Sequence, residues 1–265
     1  MCRMIIASGK INPKQILDSL ILMAKDENSR HERNQEKGPG SYQHPDGWGI
    51  AYLDQKGDFF IKKSEKAIFA DPEVQKLSDI NTNFMIAHVR KKAGSETSIH
   101  NTHPFEAYHR LLGEGVFCHN GFIEDEIKFH PKYKLEGKTD SEKLFYSILS
   151  DINDNKPENI ARVIRNNLKT YTKTQGTNVV LSTKEKTFVG LRKNELPKYY
   201  GMVLGEGIHF VLISSEKLKT FPDISWKALQ PEDVVILHNG RKHYSIKKEK
   251  SKNPILQKIV ALIKT

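Results

Sequence analysis

Cysteine is scarce in this sequence, and its scarcity excludes several classes of protein. The 265 residues include two cysteines, Cys2 and Cys118. Two thiols cannot build a disulfide framework or a four-cysteine metal site, and they suit a reducing compartment. No apolar run approaches the ~20 residues of a membrane span, and the N-terminus lacks the basic region and apolar core of a signal peptide. We therefore expect a cytoplasmic protein without a membrane partner.

Positive charge is abundant but nowhere concentrated. Lysine and arginine number 42 against 32 acidic residues, a formal net charge of +10, and such a balance permits binding to nucleic acid. The lysines are scattered, however, and no basic stripe is interleaved with aromatics. We expect a solvated basic surface and no nucleic-acid partner. The hydrophobic content of 37% is typical of a globular chain with a substantial core.

Metal-binding spacings are missing as well. No histidine pair has the HExxH spacing, and no CxxC pair accompanies the histidines. We therefore expect no metal and no cofactor. His88 and His119 are predicted to be buried and hydrogen-bonded, and Cys118 to be inert packing in an apolar strand. The histidines considered as ligands are His88, His100, His103, His109, His119 and His130.

The order of apolar patterns predicts an α+β fold. Strand-like runs come first, two amphipathic helices follow, and strand-like runs return, which suggests antiparallel sheets with helices layered outside. No boundary splits the chain. Residues 25–45 are polar and contain glycine and proline, and they predict a mobile surface loop that could cover a site. Predicted strands are 4–7, 48–53, 59–62, 83–90, 115–119 with 122–123, 179–181, 187–190, 209–213 and 234–237; predicted helices begin at 12–13 and 139–140 and cover 157–171 and 255–263.

The second residue points to a particular chemistry. If Met1 is trimmed, as a small second side chain permits, Cys2 carries a thiol and an α-amine on one carbon. The amine titrates near ~7.7–8.0 and the thiol near ~8.5, so the amine can accept the thiol's proton near neutral pH. This is the arrangement of an N-terminal nucleophile. A chance cysteine at position two is the alternative.

Polar residues at strand ends can complete a site around such a nucleophile. Arg90 ends a buried-looking strand and can hold a carboxylate with two hydrogen bonds. Asn120 and Gly121 can offer a side-chain amide and a backbone N–H to a developing oxyanion. Asp140 can receive an ammonium group. Taken singly, each has an ordinary structural explanation: a solvated arginine, a hairpin turn or a helix cap.

Taken together, the order of these motifs is specific. In this order they resemble the class II glutamine amidotransferases, and most closely the stand-alone subgroup that includes γ-glutamyl-compound hydrolases. A C-terminal pattern, residues 214–216 followed by 226–229, is also similar to that subgroup. We expect one glutamine amidotransferase type 2 domain over 1–265, with the match covering 2–237 and a C-terminal extension over 238–265. The motifs are Cys2, DGWGIA at 46–51, AHVR at 87–90, NTHPF at 101–105, HNG at 119–121 and TDSE at 139–142.

The resemblance implies a fold and a catalytic mechanism. The fold would be that of the N-terminal-nucleophile hydrolases, with two stacked antiparallel sheets between helical layers. Cys2 would attack the γ-amide carbon of glutamine or a γ-glutamyl compound and form a thioester, with its own amine as base. Asn120 and the Gly121 N–H would form the oxyanion hole.

The resemblance also implies how the substrate is held. Arg90 would bind its α-carboxylate and Asp140 its α-ammonium, while Thr102 and His103 would wall the site. Many relatives carry a synthase domain that consumes ammonia; here we expect either plain hydrolysis or a separate synthase subunit. The pair Lys91-Lys92 replaces a tryptophan of several larger relatives and leaves the shape of the glutamine loop open. The alternative function is a non-catalytic subunit that binds a γ-glutamyl ligand or a synthase partner, which retention of Met1 would favour.

Overall fold

The computed structural model describes residues 2–192 and 194–248, so the predicted helix at 255–263 lies outside the described residues. Within them, no helix is long and apolar enough to cross a membrane. The helices are α1 Pro13–Ala24, α2 Asp140–Asp151, α3 Pro157–Thr170 and α4 Pro197–Tyr200, with 3-10 turns at Ile68–Ala70, Pro72–Leu77 and Ile99–Asn101. The strands are β1 Cys2–Gly9, β2 Trp48–Leu53, β3 Phe59–Ser64, β4 Phe84–Arg90, β5 Phe105–His109, β6 Gly113–Ile123, β7 Thr174–Ser182, β8 Lys186–Leu191, β9 Val203–Glu206, β10 Phe210–Ser214, β11 Ser225–Ala228, β12 Val234–His238 and β13 His243–Lys247.

The strands form two sheets in which the neighbouring strands are antiparallel. One sheet has the order β11-β9-β10-β1-β4-β2-β3, and the other β13-β12-β8-β7-β6-β5. The strand that carries Cys2 is therefore internal to the first sheet, held between β10 and β4. An internal strand has both edges hydrogen-bonded, so its terminus is fixed in position instead of fraying.

Alternation along β1 explains how the layers are held together. Met4 and Ile6 point into an apolar cluster shared with Val116 and Cys118 of β6, between the two sheets. Ile5 and Ala7 point the other way, into a cluster with α1. A third cluster joins α2 and α3 to the outer face of the second sheet. The predicted fold of stacked antiparallel sheets between helical layers is confirmed.

Helix caps lie where the sequence predicts them. Asn12 precedes α1, and its side chain accepts a hydrogen bond from the Gln15 backbone. Thr139 caps α2 by accepting from the Glu142 backbone, as neutral oxygen-bearing side chains commonly do at this position. The cap places Asp140 in the first turn of α2, beside the end of β6.

Residues 25–45 differ from the sequence prediction. The stretch is irregular and many of its residues are exposed, as expected, but it also buries several polar side chains. Asp26 accepts hydrogen bonds from the Asn34 amide at 2.8 Å and pairs with the His31 ring at 2.9 Å, and His44 lies 3.0 Å from the Tyr199 hydroxyl. These polar groups satisfy one another, which permits their burial.

Candidate active site

The predicted nucleophile Cys2 and the predicted oxyanion residue Asn120 come from different sheets and meet directly. Cys2, only 5% exposed, donates its backbone N–H to the Asn120 Oδ1 at 2.9 Å. Asn120 is completely buried, and its Nδ2 has no hydrogen-bond partner among the described residues. A buried amide donor without a partner is costly. Its position beside Cys2 suits it to stabilise negative charge that develops next to the thiol.

Gly121 follows at an irregularity in β6. The pairing of β6 with β7 shifts between Asn120 and Gly121, and such bulges re-aim neighbouring groups. A side chain at Gly121 would bring its Cβ within 2.3 Å of the Thr177 backbone nitrogen, so glycine is required there. The predicted alternative of a hairpin turn is wrong, because β6 continues through these residues to Ile123.

Thr177, opposite this bulge, is a residue that the sequence analysis missed. It has a positive φ of 98°, an uncommon conformation for a β-branched residue. Its buried Oγ1 also has no hydrogen-bond partner among the described residues. Strained, unsatisfied residues often occur beside functional sites, but a threonine between a glycine and an asparagine carries no sequence signal for this conformation.

Arg90 is the direct strand neighbour of Cys2, because the two are paired in the register of β1 and β4. It is 3% exposed, so the alternative of a solvated arginine is wrong. Its Nη2 donates to the Ser95 Oγ at 2.8 Å and to the Glu96 carbonyl at 3.0 Å, and its Nη1 donates to the Asp46 carbonyl at 3.3 Å. The guanidinium therefore organises the loop that follows β4.

Asp140 lies on a cleft of about 740 Å³ that is lined by residues 93–96, 122–127, 138–140 and 143. Its Oδ2 accepts a hydrogen bond from the Ile123 backbone at 2.9 Å and lies 3.8 Å from the His119 Nδ1. The carboxylate thus connects the end of β6 to the cleft. The same cleft is lined by Ser95 and Glu96, the residues held by Arg90.

Thr102 and His103 pack near the start of β2, close to Cys2. Thr102 is fully buried, and its hydroxyl donates to the Ser98 carbonyl at 2.8 Å. The His103 carbonyl would be 2.0 Å from any Cβ at Gly49, which explains why a glycine follows the buried Trp48. One His103 ring nitrogen lies within 4.8 Å of the Cys2 sulfur. The His103 ring therefore lies near the Cys2 sulfur, whereas the Thr102 hydroxyl is directed at the Ser98 carbonyl.

The buried histidines differ from the prediction in one respect. The His119 Nδ1 lies 2.9 Å from the Ser141 hydroxyl, so His119 is hydrogen-bonded as expected. His88 is buried as predicted and the His119 backbone is a polar neighbour of its ring, but neither ring nitrogen makes a hydrogen bond of good geometry in the described part of the chain. Burial lowers the pKa of His88 to about 3 and the pKa of His103 well below its ordinary value. Both imidazoles are consequently neutral at pH 7.

A buried charge pair supports β1 at Arg3, the residue after Cys2. The fully buried Arg3 donates from Nη1 to the Tyr199 carbonyl at 2.5 Å, and its guanidinium carbon lies 3.9 Å from the centre of the Tyr199 ring. Its Nε is 4.0 Å from the Glu216 carboxylate, whose pKa burial raises. The neighbouring Ser215 accepts from the Met4 backbone at 3.1 Å. Residues 214–216, noted in the sequence only for their resemblance to the C-terminal pattern of the subgroup, thus contact β1 through Ser215 and Glu216.

Cys118 has the environment of a packing residue. It is completely buried between the two sheets, and burial raises its pKa well above the ordinary value. A buried thiol in apolar surroundings is unreactive, because the thiolate is the nucleophilic form.

Comparison with known proteins identifies a family. Residues 31–198 match the family model described as glutamine amidotransferases class-II. YafJ of Escherichia coli K12, which carries an unproven assignment as a glutamine amidotransferase, is 30% identical over 137 residues, covering 49% of this chain and 52% of that protein. An uncharacterised protein of Methanocaldococcus jannaschii is 36% identical over 118 residues, covering 42% of this chain and 32% of that protein. The chain thus spans about a third to a half of the length of the curated relatives it matches.

Solved structures share the fold at low sequence identity. The allosteric regulatory enzyme of purine biosynthesis superposes with a TM-score of 0.69 at 16% identity, covering 95% of this chain and 50% of that chain. A glutamine aminotransferase class-II domain protein from Silicibacter pomeroyi superposes with a TM-score of 0.60 at 16% identity, covering 93% and 99% respectively. These similarities support the fold assignment.

Proposed function

The chain belongs to the class II glutamine amidotransferase family, and we propose that it hydrolyses the γ-amide of glutamine or of another γ-glutamyl compound through Cys2. The observation that carries the proposal is the pairing of Cys2 with Asn120. The Asn120 Oδ1 accepts the Cys2 N–H, and the buried Nδ2 of the same amide has no partner among the described residues. A hydrolase acting through a tetrahedral intermediate needs such a donor.

The proposed reaction begins with removal of Met1, which gives Cys2 a free amine. That amine takes the thiol proton, and the thiolate attacks the γ-carbonyl carbon of the substrate. The Asn120 Nδ2 and the Gly121 N–H donate to the resulting oxyanion. The intermediate then collapses to a Cys2 thioester while the amine delivers its proton to the departing nitrogen. Water attacks the thioester, releases glutamate and regenerates the thiol.

Substrate recognition is proposed at the two charges of the glutamyl group. Arg90 would hold the α-carboxylate, and Asp140, at the cleft, would hold the α-ammonium. The terminal nitrogens of Arg90 already bind the Ser95 and Glu96 backbone region. Binding of the carboxylate would therefore be coupled to the position of this loop. His103 and Thr102 would form and support the wall beside Cys2.

The proposal extends to the fate of the released ammonia and to the compartment. The ammonia could be released to solvent or passed to a separate synthase subunit. The buried free thiols of Cys2 and Cys118 suit a reducing, cytoplasmic compartment. The single domain over 1–265 stays a prediction; β13, within the predicted extension, pairs with β12 and adds an edge strand to the second sheet.

A substrate panel tests the proposed recognition. The values of kcat/KM should be measured for glutamine, a γ-glutamyl dipeptide, asparagine and N-acetylglutamine. Glutamine and the dipeptide should be hydrolysed, whereas asparagine misplaces the amide and N-acetylglutamine lacks the ammonium. Hydrolysis of N-acetylglutamine at the rate of glutamine would show that Asp140 holds no ammonium. Absence of turnover with every γ-glutamyl compound, in protein that lacks Met1, would favour the non-catalytic ligand-binding alternative.

A further inference from the structure

Three side chains that can bind a metal meet beside the nucleophile. The Cys2 Sγ, one ring nitrogen of His88 and one of His103 all lie within 4.8 Å of one another, and all three residues are buried. They come from the start of β1, from β4 and from the segment before β5. Because the residues are far apart in sequence, no local spacing motif announces this cluster.

The histidines of this cluster lack the partners that other buried histidines have. His31 contacts Asp26, His44 contacts Tyr199 and His119 contacts Ser141. In the described ranges, neither ring nitrogen of His88 or of His103 makes a hydrogen bond of good geometry, and the polar neighbour of the His88 ring is the His119 backbone. Their rings are packed together, with centroids 4.2 Å apart. Buried polar atoms without partners are rare in folded proteins and call for a ligand or another explanation.

We propose that Cys2, His88 and His103 form a binding site for Zn²⁺, and that the bound ion inhibits the enzyme by occupying the nucleophilic sulfur. One thiolate and two neutral imidazoles are a donor set that Zn²⁺ prefers. The Zn–S bond forms as the Cys2 thiol releases its proton to solvent; no electron is transferred. Binding by the sulfur and the two imidazoles rests on this geometry alone, whereas the inhibition, and a fourth ligand from the freed amine, rest on the proposed function.

The free terminus of Cys2 would add a fourth donor. Once Met1 is removed, the α-amine and the thiolate of Cys2 can bind one metal ion in a five-membered ring. With the two imidazoles, this gives the four ligands of a closed zinc site. The amine that would act as base in catalysis is then bound to the ion together with the sulfur, so zinc would block both the nucleophile and its activation.

Binding requires a modest contraction of the cluster. Tetrahedral zinc with bonds of ~2.0–2.3 Å holds its ligand atoms roughly 3.3–3.8 Å apart, so the widest separation must shorten by about 1 Å through side-chain rotation. Two positive charges near the cluster oppose the binding of a cation: Lys63, which acts on the His103 ring, and Arg90, which is paired with Cys2 across the sheet. Its terminal nitrogens donate to the carbonyls of Asp46, Ser95 and Glu96, which partly offset that charge.

The experiment uses the full-length protein, first stripped of metal with a chelator and then given Zn²⁺ or Co²⁺ alone. We expect one Zn²⁺ per chain by equilibrium dialysis. Co²⁺ should produce a near-ultraviolet thiolate-to-cobalt charge-transfer band, which Cys2→Ser should abolish and Cys118→Ser should preserve. His88→Gln and His103→Gln should each weaken zinc binding at least tenfold, whereas the matched buried control His109→Gln should not.

A measurement on the unaltered protein keeps the proposal testable if a histidine variant fails to fold. Stoichiometric Zn²⁺ should slow alkylation of Cys2 by iodoacetamide at least tenfold, read by peptide mass, and a chelator should restore the rate. A cobalt complex without the thiolate band, a band that survives in Cys2→Ser, or an alkylation rate unchanged by zinc would overturn the proposal. Each of these results leaves hydrolysis of γ-glutamyl compounds untouched, so the two proposals fail separately.

Discussion

Replacing Asn120 by alanine should lower kcat for glutamine hydrolysis by about 100- to 1000-fold. One oxyanion donor in a buried site contributes ~2.7–4 kcal/mol to the transition state, and each ~1.36 kcal/mol is tenfold in rate. The Asn120 Nδ2 meets the structural condition for that magnitude, because it is buried and has no partner among the described residues. Since the hydrogen bond would form mainly in the transition state, kcat and kcat/KM should fall together while KM changes little.

Two further variants separate this effect from a general loss of structure. Asn120→Asp keeps an oxygen that can accept the Cys2 N–H but removes the donor and adds negative charge, so its loss of kcat should be at least as large. Asn239→Ala removes an amide that binds the Ser182 hydroxyl and the Thr183 carbonyl at a turn, and it should leave kcat within a few-fold of the unaltered protein. Thermal melting should accompany each kinetic measurement. A folded Asn120→Ala protein with kcat reduced less than fivefold, or with a change in KM alone, would refute the assignment.

Three other outcomes follow from the same geometry. Asp140→Asn should raise KM for glutamine by at least tenfold, because the α-ammonium of the bound substrate loses its charged partner at a cost of roughly 2–5 kcal/mol. An unchanged KM in steady-state assays would contradict the proposal that Asp140 holds the ammonium. Arg3→Met should lower the free energy of unfolding in urea by about 3 kcal/mol or more, since it leaves the buried Glu216 carboxylate without its cation. A decrease below 1 kcal/mol would contradict the conclusion that the Arg3–Glu216 pair supports β1. Burial lowers the pKa of His31 to about 4, so the unfolded chain binds a proton at higher pH than the folded chain. This part of the stability is present above pH ~6.5 and is lost as pH falls toward ~4, by at most ~1 kcal/mol per pH unit after allowance for solvent screening. His31→Gln should therefore make the free energy of unfolding depend less on pH in this range. An unchanged pH dependence in the variant would contradict the lowered pKa of His31.

The internal strands other than the short β9, and the helices α1 to α3, were predictable because their patterns follow from burial. β1, β4 and β7 are continuous buried runs, and α1 begins at an Asn-Pro pair that matches its observed cap. The edge strands β5, β11 and β13 were missed, since many of their residues are exposed or half exposed and they lack an apolar run, whereas the edge strand β3 was predicted. β11 and β13 show this most clearly, with few or no buried side chains, and they form only because a neighbouring strand offers its free edge.

Polar composition is also a poor guide to exposure where polar side chains form hydrogen bonds with one another. Residues 25–45 look like a solvated loop in sequence, but Asp26, His31 and Asn34 form a buried hydrogen-bonded group. No count of polar residues can show that such side chains will pair in space. The same limit applies to His88 and His103, which only the packing of β4 against the segment before β5 brings together.

The site residues were predicted from motifs, and the structure shows what each motif arranges locally. Asn120 beside Cys2 and the glycine requirement at position 121 agree with the sequence interpretation. Arg90 is more constrained than expected, since its terminal nitrogens bind the loop after β4. The roles of these residues in catalysis and substrate binding remain proposals that the kinetic experiments address.

The most direct test of the central claim is the intact mass of active protein before and after reaction with diazo-oxo-norleucine, a glutamine-like electrophile. The account predicts a chain that lacks Met1 and gains one adduct, mapped to Cys2, with loss of activity in proportion to labelling. Cys118→Ser should label at the rate of the unaltered protein. An active chain that retains Met1, or an adduct mapped to Cys118, would contradict the proposal that Cys2 is an N-terminal nucleophile.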